Sequence, residues 1–272
     1  MKKHPRILLL LAAALVVFAM LPVQATSATS YEKAFDKLTF AKALKYDKAP
    51  PTNGGKVQSA AQINKTLKSI GYFKQAPGNG KVLCNKSISF WKEEGTIDSV
   101  NKNSKWSRLS GKSYDYYEEL TYLNKWGGDI PTWCWLENRG GGDYNWYNWA
   151  KKSTTGEYNI DTDPWWSPPS KKKPKETTGP WIYKKYKDAK VLGQPCFVYS
   201  WQGYYDDTYT YYTYVSRKTG IVLKTVSYYS TGDYWTEIHF VYERVAKAPG
   251  NFKLPKSITW NKFEPNYGGD WE

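Results

Sequence analysis

The chain has 272 residues, a net charge of +14 and an aromatic content of 17%. Its two histidines and three cysteines are too few and too scattered for a recognisable zinc or transition-metal cluster. After the first 25 residues no long apolar segment remains, which excludes a further membrane-spanning helix.

The N-terminus reads as a secretory signal peptide over residues 1–25. Lys2, Lys3 and Arg6 form a positive n-region, Ile7 to Val23 an apolar run, and Val23-Gln24-Ala25 a small-residue cleavage site. An uncleaved anchor is the alternative, since the run approaches the roughly 20 residues of a membrane span. Pro22 and the small, polar stretch after Ala25 favour cleavage, and no Cys follows for lipid attachment. Export places the remaining residues, 26–272, in the periplasm, the cell envelope or outside the cell. An oxidising compartment permits one disulfide among Cys84, Cys134 and Cys196, with the pairing open, or three buried thiols.

Residues 29–47 read as a helix, with Thr29 and Glu32 at capping-box spacing and Phe35, Leu38, Ala41 and Leu44 on one face. A second helix starts at Ser59, caps with Gln62, buries Ile63, Leu67 and Ile70, and stops at Gly71. Val82 to Trp91 reads as one or two short strands. Residues 113–126 read as a short helix, with Tyr117, Leu120 and Leu123 on one side and a strand as the alternative. Residues 126–181 form a Trp-rich, Pro/Lys-rich insertion within one domain. Gly140-Gly141-Gly142 makes a turn, and 167–180 a loop broken by Pro168, Pro169 and Pro174.

Residues 181–243 read as an antiparallel meander. Its strands are Cys196–Gln202, Thr208–Ser216, Ile221–Tyr228 and Tyr234–Glu243, joined by short polar turns. In the last strand Thr236, Ile238, Phe240 and Tyr242 share one face, and Glu237, His239 and Glu243 the other. The doublet Tyr211-Tyr212 predicts a β-bulge in the second.

Catalytic signatures are sparse. His239, the single histidine after the signal, reads as an ordinary strand residue with no companion nucleophile. The doublets Glu93-Glu94, Glu118-Glu119 and Asp206-Asp207 read as solvated surface charge. The chain is therefore expected to be no enzyme, a carboxylate-based hydrolase being the alternative, and to need no cofactor or metal. Its basic, aromatic character suits a lipid, a lipoprotein, a membrane surface or an anionic envelope polymer. Export argues against nucleic acid as the partner.

The run Tyr214-Val215-Ser216-Arg217-Lys218-Thr219-Gly220-Ile221-Val222-Leu223-Lys224 resembles a strand–turn–strand of the outer-membrane lipoprotein carrier and sorting family, LolA-like proteins. Gly193 to Tyr199 is similar to that family's strand opening, and Thr236–Glu243 and Phe252-Lys253-Leu254-Pro255 occupy the places of its later elements. The resemblance covers about residues 183–258, with Tyr214 and Ser216 standing where the family usually has Trp and Asp. It implies an α+β fold, in which a curved antiparallel β-sheet forms an unclosed barrel with helices packed on its concave side. It also implies a non-catalytic carrier or sensor holding a hydrophobic or amphiphilic ligand, such as lipid or lipoprotein acyl chains. The expected lining residues are Tyr212, Tyr214, Leu223, Ile238 and Phe240. The other reading is a glycan or cell-wall binding module using Trp133, Trp135, Trp146 and Trp149 as stacking platforms.

Overall fold

A computed structural model describes residues 25–72, 82–110, 113–127, 132–140, 143–150, 152–161, 181–203, 208–245 and 253–263. Within these, the side chains of 25–29, 109–110, 113–116, 132–140, 143–146, 159–161 and 244–245 lie outside the description. The expected signal peptide, the 167–180 loop and Asp206-Asp207 fall outside the described residues.

The strands are β1 (Lys56–Gln58), β2 (Val82–Lys92), β3 (Ser99–Ser110), β4 (Ser113–Asn124), β5 (Thr132–Gly140), β6 (Asp143–Ala150), β7 (Thr155–Asp161), β8 (Trp181–Lys185), β9 (Ala189–Val191), β10 (Gln194–Gly203), β11 (Tyr209–Ser216), β12 (Val222–Tyr229), β13 (Tyr234–Val245) and β14 (Thr259–Lys262). They form one sheet in the order β1-β8-β10-β11-β12-β13-β2-β3-β4-β5-β6-β7-β14, with β9 beside β10. Every pairing is antiparallel except β14 with β7. The end strands β1 and β14 do not pair with each other, so the sheet is unclosed. The fold is α+β, a curved antiparallel sheet with the first helical segments on its concave side and a later helix on the other face.

The meander follows the sequence pattern closely, each expected strand matching β10 to β13 within one or two residues. Elsewhere the structure corrects the reading. Residues 113–124 are strand, not helix: β4 pairs with β3 along its whole length. Its Tyr and Thr content suits a pleated surface, and the i, i+3, i+6 spacing of Tyr117, Leu120 and Leu123 was a coincidence of composition. The Trp-rich stretch also holds regular structure, since β5, β6 and β7 extend the sheet. Gly140 pairs with Asp143, as a two-residue connection requires.

The first helix is shorter than expected and broken. α1 (Ala25–Asp36) already runs through Thr29, so Thr29 is no cap. The chain turns at Lys37–Thr39, then forms α2 (Phe40–Ala43) and a 3-10 turn at Leu44–Tyr46. A straight helix over 29–47 would extend about 28 Å and leave the curved sheet. The break keeps Phe35, Leu38 and Ala43 buried while Ala41 is exposed. α3 (Ala60–Ser69) matches its reading: Ser59 and Gln62 form the capping box, and Gly71 takes φ +83°.

Two apolar layers result. On the concave face α1 and α2 meet Ile88, Phe90, Tyr214, Val226, Ile238 and Phe240. Side chains alternate along strands, so Phe197, Tyr199 and Val215 point the other way, where Ile63 and Leu67 of α3 cover them. Two bulges shift the register. One lies at Phe240, between His239 and Val241. It places Glu243 across from Cys84, on the concave side near Lys86, and sends Tyr242 outward beside His239, reversing the faces expected for those two residues. The other is at Leu223, opposite the Tyr214–Val215 step, and not at Tyr211-Tyr212. It preserves the shared face of Tyr212 and Tyr214, both buried.

Candidate functional site

Between the helical segment and the sheet lies a cavity of about 540 Å³. Tyr46, Lys48 and Pro51 form its roof, Val191 and Leu192 one wall, and Tyr214, Lys224 and Ile238 its floor. That size falls in the range of small-molecule sites, roughly 300–1,000 Å³.

The floor is fixed by pairing. Tyr214 of β11 lies opposite Lys224 of β12, which lies opposite Ile238 of β13. The wall is the β9–β10 hairpin. Its two-residue turn, Leu192-Gly193, takes φ +47° and +72°, the left-handed geometry of a tight hairpin. Leu192 carries a Cβ into that region, which is unfavourable, and the Tyr31 hydroxyl of α1 donates to its carbonyl.

The roof and the helix α1 beside it are fastened from below. Lys86 pairs with Glu32 at 2.7 Å and Asp36 at 3.5 Å, and Lys102 donates to the Asp36 carbonyl at 3.1 Å. Lys92 pairs with Asp47 at 3.0 Å, and the Tyr234 hydroxyl donates to the same carboxylate. Phe240 wedges between the Phe35 and Tyr46 rings, at centroid distances of 5.7 and 5.0 Å. Partly exposed ion pairs contribute little singly, about 0–1 kcal/mol, so the aromatic wedge contributes most of the attachment.

Lys224 is the unusual group. Only 4% of it is exposed. Its ammonium donates to the Lys48 carbonyl and sits 5.3 Å from the centroid of the Tyr214 ring. Burial pushes its pKa down to about 8, with Lys48 assisting and Asp47 opposing. Among the described residues it makes no ion pair. Burial raises the Tyr214 hydroxyl above its ordinary range.

Of the expected lining residues, Tyr214 and Ile238 border this cavity. Tyr212 borders a smaller one of about 170 Å³ on the same face. Leu223 and Phe240 are core residues, 6% and 4% exposed, and border neither. Trp149 is core, packed against Tyr117 and Trp260 at 6.3 and 5.5 Å. Trp133 and Trp135 lie on β5 and Trp146 on β6; their side chains are outside the described residues. The sequence reading missed Lys224. Its signal was a lone cation on a strand face whose other residues, Val226 and Tyr228, are apolar or aromatic.

A second feature lies on the convex face. Trp181, Trp201, Tyr211, Tyr209, Tyr229 and Trp91 touch in succession across β8, β10, β11, β12 and β2. The Trp201 and Tyr211 rings stack at 4.2 Å. Trp181 and Trp235 keep 41% and 37% of their surface exposed.

Other sequence candidates resolve differently. The Ser87 hydroxyl donates to Glu237 at 2.9 Å, and His239 Nδ1 lies 3.0 Å from Asn85 Oδ1. Ser87 is thus not directed at the imidazole, whose pKa burial lowers. Glu118 is buried rather than solvated and accepts from Asn103. Cys84 and Cys196 are free, buried thiols, pushed up to about 12 and about 11 by burial. No helix among the described residues is long and apolar enough to cross a membrane.

No family model matches the chain, and no curated protein matches it. Solved structures similar to it include a chain of the Pseudomonas aeruginosa MucA/MucB complex, at 12% identity and a TM-score of 0.38 over 73% of this chain and 62% of that one. A DUF1329 family protein from Desulfovibrio piger has 10% identity and a TM-score of 0.32, over 70% of this chain and 97% of that one. A LolA superfamily protein from Nitrosomonas europaea has 10% identity and a TM-score of 0.28, over the same shares. The chain spans less than two thirds of the MucA/MucB-complex chain it matches, and its resemblance to the LolA superfamily is weak.

Proposed function

We propose that the protein is an exported, non-catalytic envelope protein that holds the apolar part of a lipid or lipoprotein in the cavity beneath the 45–51 segment, as carrier or sensor. The observation that carries this reading is the 540 Å³ space lined by Tyr46, Val191, Leu192, Tyr214 and Ile238. A sheet face that served only as core would pack to solid-like density there. The roof is tied by a few side-chain contacts, so an acyl chain enters by displacing it without breaking sheet pairings.

Binding of a fluorescent fatty acid tests the reading. Ala189 lines the cavity and is half-buried, so Ala189→Trp fills the space without opening the core. Uptake by the wild type and its loss in Ala189→Trp is the expected result. Equal uptake by both proteins would move the ligand elsewhere.

The convex aromatic row favours a second reading, adhesion to a wall polysaccharide, because ring faces stack on sugar rings and indole and phenol groups bond hydroxyls. Retention on immobilised polysaccharide that Trp201→Ala reduces is its signature. No retention on any wall fraction would remove it.

A further inference from the structure

We infer that the cavity selects an anionic headgroup, a carboxylate or phosphate on a single acyl chain, and that Lys224 seats it. The inference rests on the amphiphile reading above and adds what the polar end must be.

Five lysines line the cavity, Lys45, Lys48, Lys187, Lys190 and Lys224, and no carboxylate among the described residues does. Four are exposed and stand at the rim; Lys224 alone lies inside. An apolar chain gains nothing from an ammonium on the cavity floor, and an unpaired buried cation is costly. Lys224 carries three donors, and the Lys48 carbonyl accepts one. The nearby carboxylate, Asp47, is already held by Lys92 and Tyr234. An anion entering the cavity therefore meets a desolvated cation that lacks an ion-pair partner among the described residues. In this setting a charge-assisted hydrogen bond is short and strong. The exposed lysines add attraction at the mouth without paying for burial. Apolar walls beside the cation then take the chain, and the two ends of the ligand are recognised by different groups.

The test compares three ligands of equal chain length: palmitate, palmitoyl lysophosphatidate and palmityl alcohol. Affinities are measured by displacement of a fluorescent probe at pH 7. Wild-type protein is expected to bind at least one anion about tenfold tighter than the alcohol, the scale of a hydrogen bond to a charged group. Which anion wins separates a carboxylate from a phosphate source. Lys224→Met is expected to remove that preference, bringing both anions to the affinity of the alcohol. Lys190→Glu, at an exposed position that leaves the fold intact, is expected to weaken both anions severalfold and not the alcohol. Equal binding of all three ligands would overturn the headgroup inference while the carrier reading stands. Anion preference that survives both substitutions would overturn the role of Lys224. Binding of none would overturn the carrier reading and this inference with it.

Discussion

Replacing Lys224 with Met should stabilise the protein at neutral pH, and the gain should vanish in alkali. Lys224 has its pKa lowered from 10.5 to about 8 by burial. A lowered lysine pKa means the folded state disfavours the proton that the unfolded chain keeps. Between about pH 8 and 10.5 the unfolded state binds more protons, so stability rises with pH across that window. Below pH 8 both states are charged and the whole penalty is present. At about 1.4 kcal/mol per pKa unit, that penalty is about 3 kcal/mol. The group is 4% exposed, so solvent screening discounts it little. Loss of the bond to the Lys48 carbonyl returns about 1 kcal/mol. Lys224→Met, of similar length, should thus gain about 2 kcal/mol at pH 7 and be about 1 kcal/mol less stable than wild type near pH 11, where the penalty is gone and only the bond to the Lys48 carbonyl is missing. Urea unfolding of both ligand-free proteins at the two pH values reads this directly, since other titrating groups cancel in the difference. A variant less stable than wild type at pH 7 would refute the reasoning, because Lys224 would then be making a net favourable interaction.

Three further outcomes follow from the geometry. Phe240→Ala should cost about 3–5 kcal/mol in the same urea assay, because the ring fills the space between Phe35 and Tyr46; a cost below 1 kcal/mol would mean the helical roof is not anchored there. Gly220 takes φ +70°, and a Cβ on it would lie 2.6 Å from the Ile70 carbonyl, so Gly220→Ala should lower Tm by several degrees and disturb the end of α3; an unchanged Tm would refute this contact. Cys84 and Cys196 should stay silent to a thiol reagent at pH 8 in the native protein and react on unfolding, because burial keeps both protonated; rapid native labelling of either would contradict their burial.

What the sequence disclosed was local. The meander was readable because each of its turns is short and polar, as at Arg217–Gly220, and because β-branched and aromatic residues fill the strands. The α3 cap was readable because Ser59 and Gln62 bond only to each other's neighbourhood. Distant pairing was not readable. β13 joins β2 across some 150 positions of sequence, as in Ser87 with Glu237, and only the assembled sheet selects that partner. The bulge at Phe240 reassigned Tyr242 and Glu243 to opposite faces, which strict alternation does not anticipate. The concave face of the meander was identified through Tyr214 and Ile238, yet the cavity between them is defined by the 45–51 segment and the β9 turn, which carry no alternating pattern. Lys224 escaped notice because a lysine on a strand ordinarily points to water; here its neighbours across the sheet, Tyr214 and Ile238, show that it points inward.

The most direct test of the account is native mass spectrometry of the protein purified gently from its exporting host, followed by solvent extraction. The expected result is a discrete added mass that extracts as an anionic amphiphile and is missing from Ala189→Trp. A bare protein mass, with no uptake of fluorescent fatty acid afterwards, would contradict the claim that the cavity under the 45–51 segment holds a lipid.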